Sequence, residues 1–327
     1  MPTQRSGSDR FRSGDDASGV TRRGFLTAAG AVGAAGATGV SAALSGCVGS
    51  VGSVAGAEDG SGEPVSVLAA GSLQLAFSEG LRAAVDRSLR VECHGSVTAA
   101  RLVDEGKRDP DIVALADTAL FDGPLATDWH AEFATNALVV AYDEESAAGR
   151  RVGEADRWFD PVLAGEATLG RTDPDLDPLG YRTLFALDLA SEYYDRPGLR
   201  KALVEPRQVY PETSLLSRFE TGDLDVAVVY RSMAVDRGYD HVELPAAVDL
   251  GDPSRADEYA AMRYDLPSGE TVRGAPVAYG AVARRDDDRV AETFDALVAG
   301  DYLADHGFAL PESYPEYSGD VPRGLRR

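Results

Sequence analysis

The sequence predicts an α/β protein in which strands alternate with helices, as in a doubly wound sheet. Three observations carry that expectation. Short Val- and Ala-rich runs recur at VSVLAA (65–70), LRVEC (89–93), DIVALAD (111–117) and ALVVAY (137–142). The first two lead into Gly71-Ser72 and Gly95-Ser96 and then into helical patterns. A third block, Asp173 to Tyr194, opens with two Asp-Pro pairs and closes as a long helix. Short apolar runs bounded by turn residues are buried strands, and their alternation with helices marks a parallel sheet. A length of 327 residues favours two lobes over one core.

The elements follow in chain order. The run from Val65 is a buried strand, and the helix after Ser72 carries Leu75, Leu81 and Val85 on one side. LRVEC is the next strand, and Val97, Ala100, Leu102 and Val103 mark the helix that follows. Both turns aim backbone N–H groups and a hydroxyl from a helix N-terminus, which suits an anion. Ser96 serves equally as an N-cap, a role contributing about 1 kcal/mol. A short helix near Trp158 to Leu163 and a strand TLGR (168–171) come next. In the Asp-Pro block, Asp177 stands where an N-cap belongs and Pro178 suits the first turn. A helix begins near Glu212, a turn falls at Thr221-Gly222-Asp223, and a strand ends at Tyr230. GAPVAYGAVAR (274–284) reads as a long strand, with helices near 289–298 and 302–307 after it. Cys93 is expected to be a buried small side chain at a strand end, not half of a disulfide with Cys47.

Before Val65 the chain is Gly-, Ala- and Ser-rich and reads as an address. Arg22 and Arg23 in TRRGFL precede a mild apolar run from Thr27 to Leu44, the order of a twin-arginine export signal. Alanine and glycine bring too little apolar area for that run to be a stable membrane helix. LSGC (44–47) resembles a lipobox. Residues 1–46 are therefore expected to be the signal peptide, Cys47 the lipidated residue, 47–64 a flexible tether and 65–327 the folded domain. One acyl chain anchors only marginally, at about 0.8 kcal/mol per buried CH₂, so the two chains of a diacylglyceryl group are what hold Cys47 in membrane lipid. The domain is expected on the extracellular face of the cell membrane.

Charge narrows the function. Thirty-two Lys and Arg against 54 Asp and Glu give −22, which excludes a nucleic-acid partner. Few lysines (Lys107 and Lys201), many Asp and small core residues resemble halophilic proteins, whose acids are solvated at the surface. Four histidines in unrelated contexts give no metal-site spacing. No nucleophile elbow, catalytic triad order or P-loop is present, so an enzyme is not expected. No cofactor is expected, and the folded domain is expected to be a monomer.

The runs LAAGSL, HGSVTAARLVDEGKRDPDIVALAD, GRTDPDLDPLGYRTL, ETGDLDVAVVYRSMAVDRGYDHVELP and GAPVAYGAVARR stand in that order between Val65 and Pro311. Together they resemble the archaeal molybdate/tungstate-binding proteins, the solute-binding lipoproteins of ABC importers. The resemblance implies a type II periplasmic-binding-protein fold. Its lobes would span about 65–138 with 246–327, and about 139–245, around a ligand cleft. It also implies the ligand set: Gly71 and Ser72, Ser96, the Asp177-Pro178-Leu179 turn, Glu212 and Tyr230. Asp177 and Glu212 would coordinate the tungsten or molybdenum of the oxyanion directly, taking it from tetrahedral to octahedral. The partners implied are the oxyanion and a membrane permease with its ATPase. Leu179 departs from the Cys that many members carry, a change that leaves the backbone N–H intact. The stretch from Leu203 to Glu212 is shorter than in relatives.

The chemistry of that ligand set is coherent. Charge-assisted hydrogen bonds of about 1.5–3 kcal/mol each, from amides and hydroxyls at helix N-termini, can hold a dianion without Lys or Arg. On the residues alone, Asp177 reads first as a simple N-cap and Glu212 as a solvated first-turn acid; ligation is what the resemblance implies. Tyr230 either donates its phenol to a ligand or stacks at the lobe boundary. Arg182 and Arg231 read as braces for acids or helix ends. The competing readings are a binder of another solute, such as sulfate, phosphate or an organic anion, and a purely structural surface lipoprotein.

Overall fold

The structure, a computed structural model, describes residues 62–205 and 208–325. The expected signal peptide, its lipobox and Cys47 lie outside the described residues, as does nearly all of the tether.

The chain builds two mixed sheets rather than one doubly wound sheet. The strands of the first are β1 (Val65–Ala70), β2 (Leu89–His94), β3 (Ile112–Leu115), β4 (Trp129–Asn136), β12 (Val277–Ala283) and β13 (Glu316–Gly319). Their order is β13-β4-β12-β3-β1-β2. The β1, β2 and β3 strands are parallel, whereas β12 runs antiparallel to β3 and β4 and so closes the sheet with a late part of the chain. The second sheet has the order β7-β6-β8-β5-β9. It contains β5 (Leu138–Tyr142), β6 (Leu169–Thr172), β7 (Val209–Tyr210), β8 (Val226–Tyr230) and β9 (His241–Glu243). A hairpin of β10 (Arg263–Asp265) and β11 (Thr271–Arg273) stands apart from both.

The chain passes between sheets with Ala137 alone separating β4 from β5. It returns between β9 and β12. The crossover is stitched by Asn136, whose Nδ2 donates to Ser232 Oγ at 2.8 Å and whose Oδ1 accepts from the Ala137 and Ser232 amides. Each sheet is covered by helices, and the β strands at the centres are buried along their whole length, as in IVAL of β3, VAYGAVA of β12 and VAVVY of β8. Burial on both faces explains why these runs are continuously apolar instead of alternating.

Several expectations change. The segment after Ser72 is not one regular helix. A 3₁₀ turn at Gly71–Leu73 leads into a π-helical stretch at Ala76–Leu81, and the chain is extended by Val85. Gly80 lies directly against the Tyr302 ring, with no room for a Cβ. Cys93 is only partly buried and is the penultimate residue of β2. Burial, then the nearby Glu212 and Glu92 charges, lift its thiol to about 12, which disfavours the thiolate. Among the described residues, no helix is long and apolar enough to cross a membrane.

Candidate functional site

Four turns meet between the sheets. From the first sheet come the turns that end β1 and β2; from the second, the helix starts at Pro178 and Glu212. The Gly71 N–H donates to Glu212 Oε2 at 3.2 Å. A Cβ on Gly71 would stand 2.5 Å from that oxygen, so only glycine allows this approach. At the second turn, a Cβ on Gly95 would lie 2.6 Å from the Leu176 carbonyl oxygen, which accepts from the Thr98 amide at 3.3 Å. Both glycines are thus points where one sheet's turn closes on the other's.

The two hydroxyls are buried and held. Ser96 Oγ accepts from the Ala116 N–H at 3.0 Å, and Ser72 Oγ accepts from the Tyr279 hydroxyl at 3.0 Å. Each serine therefore still has its own proton to donate. Ser96 is the first residue of its helix, and Gly95 is the cap.

Asp177 caps the helix Pro178–Tyr193, its Oδ1 accepting from the Leu179 N–H at 3.1 Å, with Pro178 in the first turn. Leu179 itself is buried, so its contribution to the turn is the backbone. Glu212 opens the helix Glu212–Glu220 and points inward instead of into solvent. Asp177 is 2% exposed and Glu212 4%. One oxygen of each carboxylate, Asp177 Oδ2 and Glu212 Oε1, has no hydrogen-bond partner. The hydroxyl of Thr172, the last residue of β6, lies beside Asp177 in a geometry that leaves both its Oγ1 and Asp177 Oδ2 without a proper bond. A cavity of about 200 Å³ opens here, lined by His94, Gly95, Thr98, Asp173, Asp177 and Glu212 among others.

Electrostatics matches that geometry. Burial lifts the Asp177 carboxyl from 3.8 to about 6, against the opposing pull of the Thr172 hydroxyl, the Leu179 amide and Arg182. Glu212 is pushed well above the ordinary carboxylate range, first by burial and then by the Asp177 charge, against the Gly71 and Ser72 amides. Two acids in one dry site resist being charged together.

Tyr230 ends β8, fully buried, and its hydroxyl accepts from Arg182 Nη1 at 2.9 Å. Arg182 in turn pairs with Asp117 at 3.2 Å. Arg231 turns away to the surface and pairs with Glu243. The structure thus brings Gly71, Ser72, Ser96, Asp177, Glu212 and Tyr230 to the boundary between the sheets. Sequence reasoning missed Thr172, Asp117, Tyr279 and Asn136. For Thr172 the available signal was a hydroxyl at the end of a strand just before Asp-Pro.

Two mixed sheets joined by crossovers, with converging turns and a small cavity reached by Asp177 and Glu212 between them, define the type II periplasmic-binding-protein fold. The chain belongs to the bacterial extracellular solute-binding protein family, whose sequence profile matches residues 65–304. A protein of Haloferax volcanii, provisionally named an ABC transporter molybdenum-binding protein, is 55% identical over 260 residues, 79% of this chain and 85% of its own length. An uncharacterized solute-binding protein of Halobacterium salinarum is 35% identical over 323 residues, 94% of this chain and 98% of its own. The molybdate/tungstate-binding protein WtpA of Thermococcus kodakarensis is 32% identical over 224 residues, 60% of this chain and 63% of its own. Among solved structures, the sulfate-binding protein SubI of Mycobacterium tuberculosis superposes with a TM-score of 0.54 at 15% identity, over 76% of this chain and 87% of that one. Peb3 of Campylobacter jejuni does so with a TM-score of 0.51 at 8% identity, over 76% and 100%. Those two likenesses bear on the fold.

Proposed function

We propose that this chain is the binding component of an ABC importer that captures tungstate, molybdate or both in the cleft and delivers it to a membrane permease. In this reading Cys47 carries the lipid anchor, the twin-arginine route exports the chain, and capture takes place on the extracellular face of the membrane.

The observation that carries the reading is the pair of buried carboxylates, each with one oxygen left without a partner, on which the Gly71 and Gly95 turns of the other sheet close. A plain dianion would be repelled there. One pair of unit charges 4 Å apart costs about 4 kcal/mol at an effective dielectric of 20. An electron-poor W(VI) or Mo(VI) centre reverses the sign, because it accepts lone pairs from hard oxygen ligands. Asp177 Oδ2 and Glu212 Oε1 are the atoms free to give them. The oxyanion's own oxygens then accept hydrogen bonds from the Ser72, Ser96 and Tyr230 hydroxyls and from the backbone amides around them. Sulfur in sulfate cannot expand its shell in this way, so the same two acids that hold tungstate turn sulfate away. The names of the Haloferax and Thermococcus relatives support the same ligand class. Opening of the lobes would release the ligand to the permease, a hinge motion of the usual kind.

Titration calorimetry with tungstate, molybdate and sulfate tests the proposal. Tight heat-producing binding of the first two with none for sulfate is expected. Binding of sulfate or phosphate with none for tungstate and molybdate would replace it with a general oxyanion binder.

A further inference from the structure

Asp117 and Arg182 lie outside the proposed ligand set, yet they connect it. Asp117 follows β3 in the first sheet's half, where its Oδ1 accepts from the Ala119 N–H at 3.0 Å and caps a short turn. Arg182 lies on the helix Pro178–Tyr193 of the second half. Its guanidinium is buried and spans the boundary. It pairs with Asp117 Oδ2 at 3.2 Å and also donates to the Ala116 carbonyl and to the Tyr230 hydroxyl. The Tyr181 hydroxyl, from the same helix, donates to Asp117 Oδ2 at 2.6 Å.

We propose that Asp117 and Arg182 are positioning residues for ligand capture, forming a cross-cleft latch that is made when the lobes close and broken when they open. The inference rests on the binding-protein reading above.

Three features favour a latch over a permanent structural ion pair. Every bond from Tyr181 and Arg182 to Ala116 and Asp117 crosses between the halves, so a hinge opening severs them together. Asp117 is held in its own half by the Ala119 amide, which keeps the acceptor in place for the returning helix. Tyr181 and Arg182 stand four and five residues after Asp177, one turn along the same helix, so a pull on Asp177 by bound metal moves the latch with it. The network also ends on two proposed ligand contacts. The Ala116 N–H donates to Ser96 Oγ and the Ala116 carbonyl accepts from Arg182, while Arg182 donates to Tyr230. Because the Tyr230 oxygen already accepts from Arg182, its own proton is the one left for the ligand.

The test uses Asp117→Asn, which keeps an acceptor for the Ala119 cap and removes the charge, with Tyr181→Phe as a milder second variant. Dissociation of tungstate is followed by stopped flow, thermal midpoints are taken with and without ligand, and small-angle scattering reads closure. Asp117→Asn is expected to release tungstate roughly tenfold to a hundredfold faster with little change in association, since breaking a buried charged pair acts mainly on the off-rate. Tyr181→Phe should show the same trend at about threefold. The ligand-free midpoint should stay near wild type while the ligand-dependent rise shrinks. Unchanged dissociation in both variants overturns the latch. So does a ligand-free midpoint that falls as far as the ligand-loaded one, because that marks a permanent structural pair. A wild type that ignores tungstate overturns the function reading instead, and the dissociation arm is then run with whichever oxyanion the wild type binds.

Discussion

Asp177 is expected to cost the ligand-free protein stability while serving its ligand. Burial raises its carboxyl from 3.8 to about 6, which at about 1.4 kcal/mol per pH unit corresponds to about 3 kcal/mol. A raised carboxyl means that the folded chain holds its proton more tightly than the unfolded chain does. The contribution is therefore fully favourable below about pH 3.8 and is lost as pH climbs through about 6. At neutral pH the charged form carries the whole penalty. Asp177→Asn removes it, keeps an oxygen to accept from the Leu179 N–H, and gives the Thr172 hydroxyl an amide partner. At about 2 °C per kcal/mol for a domain of this size, the ligand-free midpoint near pH 7.5 should rise by up to about 6 °C, the full value holding where the lobes are closed over Asp177. Tungstate affinity should fall at least about a hundredfold, the size expected when a buried charged partner is lost. The assay is thermal unfolding of both proteins at constant high salt across the acid range, with and without tungstate. The variant's advantage should vanish toward pH 4 and grow to its full size by about pH 7. Screening will not remove it, because the site is buried. A variant less stable than wild type at neutral pH, or one whose midpoint tungstate still raises fully, would refute the reasoning.

Three other outcomes follow from the same geometry. Glu212→Gln should lose tungstate affinity and narrow the gap between tungstate and sulfate, measured by calorimetry, because the remaining acid repels a dianion less than the pair does. Gly95→Ala places a Cβ 2.6 Å from a backbone oxygen, and since the backbone cannot yield cheaply, closure should fail and affinity drop more than about tenfold, with scattering showing no ligand-induced compaction. Tyr264→Phe removes a 2.5 Å hydrogen bond from the β10–β11 hairpin to Asp175 but keeps the ring beside Tyr181. It should weaken binding by about tenfold to a hundredfold in the same titration if the whole net worth of one hydrogen bond to a charged acceptor, about 1.5–3 kcal/mol, reaches the loop that carries Asp177.

Local rules made parts of this molecule readable from its residues. A short apolar run leading to Gly-Ser reads as a strand feeding a helical turn, and both turns stand at their strand ends, the first as a 3₁₀ turn and the second as a regular helix. Asp177-Pro178 reads as a cap and first turn, and the structure has that cap. Other parts are set by distant partners. Trp129–Asn136 is a long strand because β12 and β13 flank it, but its own pattern mixes His130, Glu132 and Thr135 with apolar residues and gives a weak signal. The switch between sheets takes one residue, Ala137, inside a continuous apolar stretch, so no composition change marks the hinge. The inward turn of Glu212 depends on the Gly71 amide, and Arg182 depends on Asp117. Both pairs are far apart in sequence, and only the closed arrangement of the two sheets brings them together. The short two- to four-residue strands β7, β9, β10, β11 and β13 owe their existence to edges and hairpins rather than to their own propensity.

X-ray absorption at the tungsten edge of the loaded protein tests the central claim most directly. Direct donation by Asp177 and Glu212 predicts a six-coordinate metal, with two longer oxygen distances beyond the four of tungstate that disappear one at a time in Asp177→Asn and Glu212→Gln. A spectrum of plain four-coordinate tungstate, unchanged in both variants, would contradict it.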